Sequence, residues 1–165
     1  MMRIFPIAFM FLVAGFITAF GRQNLDIVQT DHYKTKHFDC VIFPENYVTL
    51  IGGTRFTPTR EQVNLAEQII REGLKEFNYP LINQGDKHNP IIHKKLKKYR
   101  RQYFGFKDEL GNRILLINFF WNQKHHFEYW ENERVMVLDG GSHYWSIKFN
   151  LETKDLFELY INGSS

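Results

Sequence analysis

Only one stretch of this chain repeats its apolar residues with the period of a helix. Val63, Ala66, Ile70, Leu74 and Phe77 recur at three- and four-residue steps, which lays one apolar stripe along a helix of about 19 residues. Thr57 can cap it. Pro58 suits the first helical position, where its missing N–H would lack a partner anyway, and Thr59 with Gln62 offers an alternative capping box. Pro80 ends it, because a proline disfavours helical backbone at the residue before it. Past Pro80 the chain is loop and then strand. A single amphipathic helix can cover one face of one sheet, so the order predicts an α+β domain: a helix over residues 58–77 on a four-stranded antiparallel meander, with extra short N-terminal strands.

The strands are read from alternation and turn signals. Phe38–Phe43 and Tyr47–Ile51 flank Pro44-Glu45-Asn46, and Gly52-Gly53 breaks the chain before the helix. Residues 81–92 are loop-like, and the strand signal starts at Lys94. Tyr99–Lys107 and Arg113–Trp121 flank Asp108–Asn112, a hairpin connection with Gly111 available for a positive φ. Leu115, Ile117, Phe119 and Trp121 fall on one face. Arg134–Leu138 reads as a short strand, and Asp139-Gly140-Gly141-Ser142 as a turn. His143, Trp145, Ile147, Phe149 and Leu151 then point one way and Tyr144, Ser146, Lys148 and Asn150 the other, the period of a half-buried antiparallel strand. Phe157, Leu159 and Ile161 supply the last inner face. Trp145, Phe149, Phe119, Ile117, Leu159, Ile70 and Leu74 are the expected common core.

Residues 1–21 stand apart. Arg3 is their only charge, Ile4–Phe20 runs for 17 residues without one, and Ala19 and Gly21 put small residues where a signal peptidase reads. This is the layout of a secretory signal peptide, which predicts a secreted or periplasmic protein with a polar leader over 22–37 and a single α+β domain over 38–165. The alternative is a retained anchor through residues 4–20, a stretch slightly short of the roughly 20 residues that span a bilayer; only then is a membrane a partner. Without residues 1–21 the formal charge falls from +3 to +2, too small to imply nucleic acid. Aromatic residues make up 16% of the chain, ample material for a core. The lone cysteine, Cys40, cannot form an internal disulfide and reads as a buried small hydrophobe in the 38–43 run.

One helix followed by an antiparallel meander resembles the cystatin-type helix-on-sheet arrangement, and the small periplasmic sensor domains of similar outline, over residues 57–163. Cystatins carry a Gln-x-Val-x-Gly hairpin that plugs protease clefts. Gln102-Tyr103-Phe104-Gly105 departs from it in spacing and sits inside a strand, so the resemblance does not carry inhibition. Tyr99-Arg100-Arg101-Gln102-Tyr103 and Asp139-Gly140-Gly141 are also similar in texture to small secreted bacterial proteins of unassigned function, which implies no activity.

No motif fixes a reaction. The histidines are scattered: His32 and His37 precede Asp39 and Cys40, His125-His126 sits with Glu128, and His143 follows Asp139. None forms an HExxH, His-x-His or CxxC pattern, so no metal, cofactor or catalytic residue is assigned. Lys94-Lys95-Leu96-Lys97-Lys98-Tyr99-Arg100-Arg101 puts six cations in eight residues, a stretch able to attract a polyanion such as an acidic glycan or simply to keep a strand entry solvated. With the faces as read, Tyr99, Arg101, Tyr103, Tyr144, Lys148 and Tyr160 point away from the helix, with Asn118 beside them. Tyrosine and arginine suit recognition surfaces. The expectation is an exported, non-enzymatic binding module whose ligand is a protein or an envelope polyanion or glycan. The alternative is a small exported hydrolase using His143, Asp139 or His126. N-terminal sequencing of exported material is expected to begin after Gly21; a sequence beginning at Met1 overturns the cleavage.

Overall fold

The structure is a computed structural model that describes residues 28–121 and 128–163; the expected signal segment and His126 lie outside them. Its elements are β1 (Asp31–Lys34), β2 (Asp39–Ile42), β3 (Arg55–Phe56), α1 (Arg60–Phe77), β4 (Tyr99–Lys107), β5 (Arg113–Trp121), β6 (Tyr144–Asn150) and β7 (Leu156–Ile161). They form an α+β fold with one helix and one mostly antiparallel seven-stranded sheet, ordered β1-β2-β4-β5-β6-β7, with β3 also on β4. The exception is β2, which runs parallel to β4. Sequence reasoning predicts a four-stranded meander with extra short N-terminal strands; β2 and β3 pair on the free edge of β4, and β1 pairs on β2.

The helix begins at Arg60, after a reciprocal cap. The Gln62 N–H donates to Thr59 Oγ1 at 3.3 Å and the Thr59 N–H to Gln62 Oε1 at 3.0 Å, which satisfies two donors that the first turn leaves without helical partners. Its apolar stripe packs on the sheet face built by Cys40, Ile42, Leu115, Ile117, Phe119, Trp145, Ile147 and Phe149. Trp145 and Phe119 stack at 3.7 Å between centroids. Six of the seven expected core residues are buried together there, and Leu159 packs against them from the margin. Cys40 is fully buried beside the Tyr33 carbonyl, and burial pushes its thiol pKa far up.

The other face of the sheet is also covered. Val41, Phe43, Phe104, Phe120, Trp130 and Val135 form a second cluster, under two irregular segments that the sequence predicts as strands. The segment 134–138 lies across the face, not in the ladder, because side chains of the sheet take its backbone groups. Gln102 Nε2 donates to the carbonyls of Trp130 at 2.7 Å and Glu133 at 2.6 Å, and its Oε1 accepts the Val135 N–H at 2.8 Å. Asn118 donates to the Val135 carbonyl at 2.8 Å. Residues 47–51 form no strand either: Val48 and Leu50 project into solvent, and the Tyr47 N–H closes a turn on Pro44. Two further corrections concern polar segments. Residues 31–34, expected in the leader, pair with β2 as an edge strand, and 92–98 winds into two short 3₁₀ turns before β4. Among the described residues no helix is long and apolar enough to cross a membrane.

Phe149 lies wholly inside the helix-side core, so Phe149→Ala is expected to cost on the order of 3–5 kcal/mol in chemical denaturation. Leu110→Ala, at the exposed hairpin tip, is expected to stay within about 0.5 kcal/mol. A Phe149→Ala loss below about 1 kcal/mol contradicts this packing.

Candidate functional site

The apolar stripe of α1 contains one acid. Glu67 follows Val63 by four residues and precedes Ile70 by three, so it faces the sheet, and it is only 1% exposed. Its Oε1 accepts the Tyr103 hydroxyl at 2.9 Å and lies 2.7 Å from Arg101 Nε. Arg101 is equally buried, with its guanidinium carbon 5.8 Å from the Phe38 ring centroid and 5.3 Å from that of Phe119. Its Nη1 donates to the Tyr99 carbonyl at 2.5 Å; the Nε contact with Glu67 is an ion pair whose N–H does not align as a hydrogen bond. Burial, and then the Glu67 charge, push the Tyr103 hydroxyl pKa well up, so it stays a donor.

This pair floors a cleft of about 450 Å³ between α1 and the 92–98 turns, walled by His37, Arg71, His93, Lys94, Leu96 and Lys97 among others. The cleft is strongly cationic. Lys94, Lys95, Lys97, Lys98, Arg71 and Arg101 meet a single carboxylate, Glu67, and that carboxylate is engaged by Arg101, with Arg71 4.0 Å away. Desolvation, followed by the charges of Lys36, Arg71 and Lys97, lowers the pKa of His37. Desolvation and then Lys94 do the same at His93, whose Nδ1 contacts the Asn78 side-chain amide at 3.2 Å. A second cleft, lined by Lys34, Lys36, Lys98 and Arg100, shares His37, Lys97 and Lys98 with the first. The cationic surface therefore continues toward the edge strand β1.

The residues expected on one outward face divide between the two layers. Tyr99, Arg101 and Tyr103 stand opposite Trp121, Phe119 and Ile117, and residues directly across an antiparallel pair share a face. They therefore point at the helix, and all three are buried. Tyr99 donates to the Ser142 carbonyl at 2.7 Å. Tyr144, Lys148 and Tyr160 do lie on the other face, but apart: Tyr144 is half-buried in the second cluster, Lys148 pairs with Glu158, and Tyr160 is exposed near the apolar groove of Phe77, Leu81 and Leu159. Asn118 is under the covering segment, not in solvent. His143 approaches the Gly140 carbonyl through Nδ1 and stands edge-on to Trp121, while Asp139 is exposed. Among the described residues no three of His, Cys, Asp and Glu gather as a metal-binding group.

Local sequence does not single out Glu67, Arg71, His37 and His93 as one site. The available signal is an acid at a core-facing helix position. Comparison with protein-family models, curated proteins and solved structures gives no match.

Arg101→Met leaves Glu67 buried without its close cation, and chemical denaturation is expected to show a loss of about 3–5 kcal/mol. The triple variant Glu67→Leu, Arg101→Met, Tyr103→Phe removes the charges and the hydroxyl together, and it is expected to cost less than Arg101→Met alone. A single variant within about 1 kcal/mol of wild type rules out the pair as the support of the cleft floor.

Proposed function

We propose that this protein is an exported, non-enzymatic binding module that holds an acidic glycan along the cleft between α1 and residues 92–98. The observation that carries the reading is the charge balance of the cleft, six cations against one carboxylate that is already engaged. Lys94, Lys95, Lys97 and Lys98 have no carboxylate within ion-pair distance among the described residues, whereas many of the cations elsewhere do. Clustered cations beside low-dielectric protein walls concentrate potential and raise the local concentration of anions. The floor supplies rigidity, since Arg101 and Glu67 are fixed by packing. The Lys side chains around it remain mobile donors, able to follow a repeating polyanion without a single required geometry. Export is supported by the Arg3 n-region, the apolar run and the Ala19/Gly21 pair.

Immobilised heparin is a suitable polyanion probe. Wild-type protein is expected to be retained and released by salt, because exposed charge attraction is screened within about 10 Å at 0.1 M salt. Lys94→Gln/Lys97→Gln/Lys98→Gln is expected to bind roughly tenfold more weakly, while Lys154→Gln, exposed in the turn between β6 and β7, elutes with wild type. Equal elution of the triple variant and wild type places polyanion binding elsewhere.

A further inference from the structure

The outer layer holds two arginines that share one aromatic ring. The guanidinium carbons of Arg55 and Arg134 lie 5.9 and 5.7 Å from the centroid of Phe104, whose ring also stacks on Phe43 at 4.6 Å. Arg55 Nε donates to the Gly105 carbonyl at 2.7 Å, but its Nη1 and Nη2 are buried without an acceptor, as is Arg134 Nε. Among the described residues neither arginine has a carboxylate within ion-pair distance. Removing guanidinium donors from water without an acceptor costs more than leaving a neutral group unpaired, and two like charges side by side add to that cost.

Arg134 lines a cleft of about 690 Å³ together with Thr54, Phe106, Lys107, Leu116 and Lys148. One wall is closely packed: the Lys107 N–H donates to the Thr54 carbonyl at 2.8 Å, and a Cβ on Gly53 would stand 2.3 Å from the Lys107 carbonyl oxygen. The acids at its rim are Asp108 and Glu109. Asp108 is taken up by the Leu110 and Asn112 N–H groups and the Asn112 amide. Lys148 engages Glu158 outside the cleft wall. The floor is apolar through Phe106 and Leu116.

We propose that this cleft is a second, separate binding site, for a small ligand that presents a carboxylate or phosphate to Arg134 and an apolar body to Phe106 and Leu116. The planar guanidinium fork suits either oxyanion. Desolvation lowers the pKa of both arginines, and at Arg55 the neighbouring Arg134 charge adds to it, in keeping with a site that gains by receiving an anion.

Thermal unfolding followed during titration with phenyl phosphate and, separately, benzoate at constant ionic strength tests this. At least one probe is expected to raise Tm saturably, and the one that saturates at lower concentration identifies the preferred oxyanion. Arg134→Gln is expected to weaken that response roughly tenfold. Should that variant fail to fold, Arg134→Lys keeps the charge, loses the fork and is expected to weaken it as well. Lys94→Gln/Lys97→Gln is expected to respond as wild type, which separates this site from the glycan cleft. No saturable rise with either probe, or an undiminished response in the folded Arg134 variant, overturns the proposal.

Discussion

Strand β4 is the constraint on which the molecule depends. It pairs with β5 along one edge and with both β2 and β3 along the other, so its backbone fixes the position of three neighbours. Its side chains alternate between two buried layers, not between core and solvent. Tyr99, Arg101 and Tyr103 enter the helix layer, while Gln102 and Phe104 enter the layer beneath the irregular segments. A one-residue shift of β4 against β5 would exchange these sets. It would put a guanidinium under the covering segment and an unpaired amide against the helix.

Each layer contains one polar device from this strand, and the two act differently. Arg101 is matched by a single carboxylate on α1, and buried ion pairs gain little net free energy over apolar packing because desolvation offsets attraction. Its effect is to fix the position of the helix along the sheet. Gln102 is matched by backbone groups of a segment with no ladder of its own. Without the amide those groups would be buried unpaired, at about 1–3 kcal/mol each. The first device selects a register, and the second allows an irregular segment to serve as a layer.

The helix and the inner faces of β5 and β6 were legible because their residues separate cleanly by period. In β4 they do not: Tyr99, Arg101 and Tyr103 alternate with Arg100, Gln102 and Phe104, so both parities mix aromatic and polar side chains. The information was nevertheless present in the hairpin. With 108–112 as the connection, Lys107 meets Arg113, and the ladder brings Arg101 opposite Phe119, on the face already read as inner. The irregular layer was less legible because apolar runs such as 134–138 carry the composition of a strand. What decides their conformation is a glutamine and an asparagine elsewhere in the chain. The clefts depend on residues as distant as Glu67 and Arg101 or Arg55 and Arg134, which no local spacing connects.

A net charge of +3 gives little sign of a locally cationic surface, because a sum ignores which charges are already matched. Asp31 takes Arg60, Asp39 takes His32, Lys34 and Arg100, Glu152 takes Arg113, and Glu158 takes Lys148. Glu67 takes Arg101 in the core. These acids are matched locally, next to the cations they hold. Unpaired cations cluster at residues 94–98 and at the two arginines on Phe104. Potential at a surface follows this unmatched charge within a Debye length, not the total. A nearly neutral chain can therefore present two concentrated cationic regions, on opposite layers of one sheet.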